Sequence, residues 1–243
     1  LTFHELPAGS YWASSSVTIV QYVIMLVVAA TAFMFNFMKN KALKNTMLFF
    51  SVLSLVGYCY MGYMRQSAES IFAVFPLLAV GITPILGSYV DHKGKAASML
   101  VLGSLLLIVC HLTFAFVLPQ FKSSQVGGVI VAYVTILVLG ASFSLVPASL
   151  WPSVPKLVDA KIIGSAYALI FWIQNIGLWL FPLLIGKVLD KTNVGVTDPT
   201  QLNYTAPLIM LAGLGVIALI IGLTLKVVDK KRHLGLEEPN IKA

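Results

Sequence analysis

The chain has 243 residues, of which 58% are hydrophobic and 10% charged, and a formal net charge of +7. A water-soluble domain carries roughly 25% charged residues, so this composition excludes a soluble fold and describes a polytopic membrane protein. The positive charge does not point to nucleic acid, because the lysines gather in short loops between apolar runs and in the C-terminal segment.

Apolar windows of about 20 residues predict spanning helices. They cover Tyr11 to Met38, Lys44 to Met64, Ser67 to Val90, Ala97 to Leu118, Val126 to Trp151, Ile162 to Leu189 and Tyr204 to Val228. The predicted fold class is an all-α membrane protein, a polytopic bundle of about seven transmembrane helices. The second segment carries Gly57, Tyr58, Tyr60, Gly62 and Tyr63, and the turn at Arg65-Gln66 is very short. A shortened helix, or residues missing from this stretch, is expected there. Beyond the seventh segment the polar run from Asp229 to Ala243 is expected to fray in water. The start shows no basic n-region, so no cleavable signal peptide is expected, and a chain beginning at Leu1 reads as a portion of something longer.

Lys39, Lys41, Lys44, Lys93, Lys95, Lys156, Lys161, Lys226, Lys230, Lys231 and Arg232 fall on one side of the membrane. Arg65, Lys122 and Lys191 fall on the other, diluted by longer polar stretches. The positive-inside rule puts the first set and the C-terminus in the cytoplasm and the N-terminus outside. In a bacterial cell the protein would sit in the inner membrane. Cys59 and Cys110 lie inside apolar segments and read as small core residues, not a disulfide. There is no His-Glu-x-x-His, no Gly-x-Ser-x-Gly, no phosphate-cradling Gly-x-x-x-x-Gly-Lys-Ser/Thr and no cysteine cluster. An enzyme, a cofactor and a metal site are therefore not expected.

Gln174 and Asn175 are adjacent carboxamides in the middle of an apolar segment, where unpaired amides are costly. They face protein or water, either as interhelical hydrogen bonds or as ligands for a substrate carbonyl, amide or terminus. Gln174 lies seven residues after Tyr167, which puts both on one helix face. Trp151 and Pro152 close the fifth segment, as an interfacial stop or as part of an aromatic wall, with Tyr167, Phe171 and Trp172 early in the next. His111 is either bonded to a backbone carbonyl or a site that titrates and couples transport to protons. Arg65 and Glu69 flank the outer mouth of the third segment and read as a surface pair rather than an ion relay.

Between the third and fourth segments runs Gly87-Ser-Tyr-Val-Asp91-His-Lys93-Gly94-Lys95. The glycines suit a sharp reversal, and Asp91 is placed to meet lysines or a helix N-terminus. The pattern Gly-x-x-x-Asp-x-x-Gly-Lys resembles the loop signature of the major facilitator superfamily of secondary transporters. The resemblance implies two six-helix halves, each of inverted three-helix repeats. On it, residues 1–38 are the last helix of the first half, 39–43 a short connection, 44–228 the second half and 229–243 a cytoplasmic tail. Gly87, Asp91, Lys93, Gly94 and Lys95 would form a cytoplasmic latch, with Lys156 a candidate partner; the plainer reading of the lysines is a topology anchor.

Ser149-Leu-Trp151-Pro152-Ser-Val-Pro155, Ile163-Gly164-Ser-Ala-Tyr167, Ile173-Gln174-Asn175-Ile-Gly177 and Gly186-Lys-Val-Leu-Asp190 follow in order. With Ile82-Thr83-Pro84-Ile85-Leu86, they are similar to the branch of the superfamily that holds the animal lysosomal dipeptide carrier and its bacterial relatives. That resemblance implies a secondary active or facilitative transporter moving a small polar solute, such as a short peptide, by alternating access. Trp151, Tyr167, Gln174 and Asn175 would line its substrate cavity, with the bilayer and a coupling proton as its other partners. A channel and a non-transporting scaffold or receptor half are the alternatives.

Overall fold

The computed structural model describes residues 10–65, 67–121, 126–198 and 201–241. Leu1, Gln66, Lys122 and Ala243, named above, lie outside the described residues. The described residues form seven long helices and no strand: α1 (Ser15–Phe37), α2 (Lys41–Met64), α3 (Ala68–Lys93), α4 (Ala96–Leu112), α5 (Val126–Leu157), α6 (Ile163–Thr192) and α7 (Thr205–Arg232). All seven are long and apolar enough to cross a membrane, α4 together with the turns that continue it to Gln120. The fold class read from the sequence is the one observed.

Several boundaries differ, for local reasons. The second helix is not shortened: α2 runs 24 residues, starting where Asn40 Oδ1 accepts the Ala42 and Leu43 amides at 2.9 and 3.3 Å. The fourth apolar run is not one continuous α-helix. After Leu112 it widens into a π segment, Thr113–Val117, and closes as a 3-10 turn at Leu118–Gln120. The fifth helix does not stop at Trp151-Pro152 but continues through Pro147, Pro152 and Pro155 to Leu157. Buried serine hydroxyls back-bond along it, Ser144 to the Gly140 carbonyl (2.9 Å) and Ser153 to that of Ser149 (2.6 Å).

The chain divides into two compact units. One holds α1, α2, α3 as far as Ile85, and α5 as far as Ser144. Its core includes Val28, Val74, Ala132 and Ile136. Gly140 lets α5 approach α3, since a Cβ there would stand 3.0 Å from the Phe75 carbonyl oxygen. The other unit holds the rest of α3, α4, the π segment, the end of α5, α6 and α7 with the tail. There α4 and α7 pack closely, because a Cβ on Gly222 would lie 3.2 Å from Val101, and one on Gly215 only 2.8 Å from Ile108. By contrast, α6 has no buried residue and touches α7.

Candidate functional site

In the second unit the end of α5 and the first half of α6 bring three aromatics together. Trp151 stacks on Phe171 with ring centroids 5.0 Å apart and 27° between planes, and meets Tyr167 at 5.7 Å. Tyr167 Oη donates to the Trp151 carbonyl at 2.9 Å. Tyr167, Phe171 and Gln174 follow one another at helical spacings of four and three, so the carboxamide of Gln174 continues the aromatic face. Gln174 is exposed along that helix.

Asn175 is also exposed, about 100° further round, and its Nδ2 donates to the Phe171 carbonyl at 2.7 Å. The structure therefore brings Trp151, Tyr167 and Phe171 together, leaves Gln174 exposed one helical step beyond them, and turns Asn175 toward its own backbone. His111 sits in the last turn of α4, two residues before the π segment, with Nδ1 2.8 Å from the Leu107 carbonyl.

The signature stretch is mostly helical. Gly87 lies inside α3 with open space where a Cβ would be, and Lys93 is the exposed last residue of that helix. The reversal is made by Gly94 (φ 74°) and Lys95 (φ 67°) alone. Lys95 holds a left-handed conformation without being glycine, and its amide donates to the Glu237 carbonyl at 3.1 Å while that of Ala96 donates to Leu236 at 3.1 Å.

The C-terminal tail, expected to fray, is ordered against this turn as far as Ile241. Asp229, buried in α7, accepts the amides of Leu236 (2.9 Å) and Glu237 (3.3 Å) and curls the chain back. Leu236 is 0% exposed. Glu237 then caps α4, its two carboxylate oxygens accepting the Ser98 amide at 2.7 Å and the Ser98 hydroxyl at 2.8 Å. Lys226 Nζ donates to that same hydroxyl at 2.8 Å. Lys156 Nζ donates to the carbonyls of Gly235 and Glu238, each at 2.7 Å. Asp91 Oδ1 accepts from Asn240 Nδ2 at 2.7 Å, and its carbonyl accepts the amides of Asn240 and Ile241. The tail thus meets both Asp91 and Lys156. Sequence reasoning missed Asp229, Leu236, Glu237 and Asn240; the signal was two leucines, Leu234 and Leu236, around Gly235 in an otherwise polar run.

Arg65 does not behave as a surface residue paired with Glu69. Its Nη2 donates to Thr18 Oγ1 at 2.9 Å and its Nη1 to Gln21 Oε1, both on α1. A cavity of about 190 Å³ among α1, α2 and α3 of the first unit is lined mostly by apolar side chains, Val28, Leu55 and Leu77 among them, with Ser51 the one hydroxyl, which suits a polar solute poorly. Among the described residues no group of three or more His, Cys, Asp or Glu could hold a metal ion.

Lysosomal dipeptide transporter MFSD1 of Homo sapiens is 28% identical over 130 residues, 54% of this chain and 26% of the human protein. The same transporter of Bos taurus is 29% identical over 129 residues, and that of Danio rerio 27% over 129. The chain is similar to these carriers. The resemblance read from the motifs therefore stands, and the seven membrane-length helices describe a multi-pass integral membrane protein. The matched stretch spans about a quarter of the length of these curated relatives. No protein-family model matches the chain, and no solved structure matches it at a significant level.

Proposed function

We propose that the chain supplies seven helices of a secondary active or facilitative transporter that moves a small polar solute, a dipeptide in the first instance, by alternating access. The similarity to the dipeptide transporters carries this reading. On it, residues 1–38 hold the last helix of one half, 39–43 the connection, 44–228 a six-helix second half and 229–243 a tail that lies, with the lysine-rich turns, in the cytoplasm.

The face of Trp151, Tyr167 and Gln174 contacts the solute. Aromatic rings give it an apolar wall, and the Gln174 amide offers one donor and one acceptor to a peptide bond or terminus. Asn175 contributes at the edge, since its Nδ2 is held by the Phe171 carbonyl. His111 is the candidate proton site, with its Nδ1 2.8 Å from the Leu107 carbonyl.

Gly87, Asp91, Lys93, Gly94 and Lys95 act as the cytoplasmic latch, with the tail as the member that joins Asp91 to Lys156. One exposed ion pair would contribute under about 1 kcal/mol, whereas this network adds a helix cap and several main-chain bonds.

Uptake of labelled dipeptide by the full-length protein in proteoliposomes tests the reading. Saturable uptake that weakens in Gln174→Ala is expected. A folded protein that takes up nothing favours a scaffold or receptor, and single-channel current favours a pore.

A further inference from the structure

A second polar cluster lies in the first unit, where α1 begins and α2 ends. Arg65 is the C-cap residue of α2, yet its guanidinium reaches across to Gln21 and Thr18 of α1. Gln21, 3% exposed, passes its Nε2 hydrogen to Ser70 Oγ of α3 at 2.9 Å. Tyr133 of α5, 8% exposed, brings its hydroxyl to the same place. Gly62 marks the meeting point: a Cβ there would collide with Tyr133 Oη and with Ser70 Cβ (2.8 Å), and would lie 3.5 Å from Gln21 Nε2.

Two buried polar atoms in this cluster have no partner, Arg65 Nε and Tyr133 Oη. Three neutral acceptors beside them are engaged, since Gln21 Oε1 and Thr18 Oγ1 take the guanidinium and Ser70 Oγ takes Gln21. Among the described residues no carboxylate forms an ion pair with Arg65, and Glu69 on the next helix is exposed. A network that served only as interhelical glue would be expected to satisfy its own donors. Here the surplus is an N–H and an O–H beside an uncompensated positive charge. An oxyanion meets all three needs: a guanidinium grips two oxygens in fork geometry, and a phenol O–H adds a third bond.

We propose that Arg65 and Tyr133, held in place by Gln21, Thr18 and Ser70, form a binding site for the carboxylate of the transported solute. The identity of the solute rests on the carrier reading; the carboxylate chemistry follows from the donors themselves. A phosphate from an anionic lipid has the same charge and geometry, so the test separates the two sources.

Equilibrium binding of labelled Ala-Ala, N-acetyl-Ala-Ala and Ala-Ala amide would be measured on the full-length protein in phosphatidylcholine nanodiscs, with and without phosphatidylglycerol. The two acids should bind about 10-fold or more tightly than the amide. Arg65→Gln should abolish that preference, and Arg65→Lys should restore it in part, keeping the charge but not the fork. Tyr133→Phe, nearly isosteric, should weaken the acids by about 3- to 10-fold and leave the amide unchanged, and it carries the test should Arg65→Gln not fold. Equal binding of acid and amide by the wild type, with uptake intact, overturns the site and leaves the carrier reading standing. Arg65-dependent acid binding without uptake supports the site and removes the carrier. Arg65-dependent loss of acid binding on adding phosphatidylglycerol assigns the cluster to a lipid headgroup and overturns the proposal.

Discussion

Tyr167 Oη donates to the Trp151 carbonyl at 2.9 Å, and Pro155 is the reason that carbonyl is free to accept. In an uninterrupted helix the amide four residues on would bond it, but proline has no N–H. Within a membrane such a carbonyl needs another donor, and α6 provides one. Tyr167→Phe should therefore destabilise the protein by about 1 kcal/mol. In a Pro155→Ala background a new N–H can reach the carbonyl, and the same substitution should cost much less. A thermal-unfolding double-mutant cycle measures the difference; zero coupling between the two sites would refute this account of the α5–α6 contact.

Glu237 ties the tail to α4 through both oxygens of its carboxylate. Loss of an N-terminal cap costs about 0.5–2 kcal/mol. Glu237→Ala should accordingly speed hydrogen exchange at the Ser98 amide by about 3- to 30-fold, and deletion after His233 should extend this to Lys95 and Ala96, whose amides bond tail carbonyls. Unchanged protection at all three would mean that the tail does not hold this turn.

The two glycines of the signature stretch should respond oppositely to alanine. Gly94 has φ 74°, and a Cβ there would run into the main chain of Glu237 and Glu238. Gly94→Ala should cost at least about 1–2 kcal/mol and displace the tail. Gly87 sits in ordinary helix with nothing within 4 Å of its would-be Cβ, so Gly87→Ala should be neutral or slightly stabilising. Limited proteolysis of the tail in the two variants checks this: Gly94→Ala should be cut faster, Gly87→Ala at the wild-type rate.

The spans were legible because a membrane demands about 20 apolar residues whatever their partners, and that is a property of each segment alone. What escaped depends on partners. Trp151 and Pro152 read as a stop, yet the helix runs on past Pro155, and the carbonyl that Pro155 leaves free is met by Tyr167, 12 residues beyond it. The tail read as frayed because its polarity was averaged, whereas its order comes from Asp229, Leu236 and Glu237 finding separate partners. Arg65 read as a surface charge because nothing in its own segment shows that Gln21, 44 positions away, would receive it. At the aromatic face, periodicity linked Tyr167 to Gln174 from the sequence, but the approach of Tyr167 and Phe171 to Trp151 needed the turn between α5 and α6.

Counterflow tests the central claim most directly. The full-length protein in liposomes preloaded with unlabelled dipeptide should take up labelled dipeptide severalfold faster than in empty liposomes, because a carrier returns sooner when loaded. Gln174→Ala should raise the concentration for half-maximal exchange by about 3- to 10-fold, the worth of one hydrogen bond. Uptake that is indifferent to preloading and does not saturate would contradict alternating access through this fold.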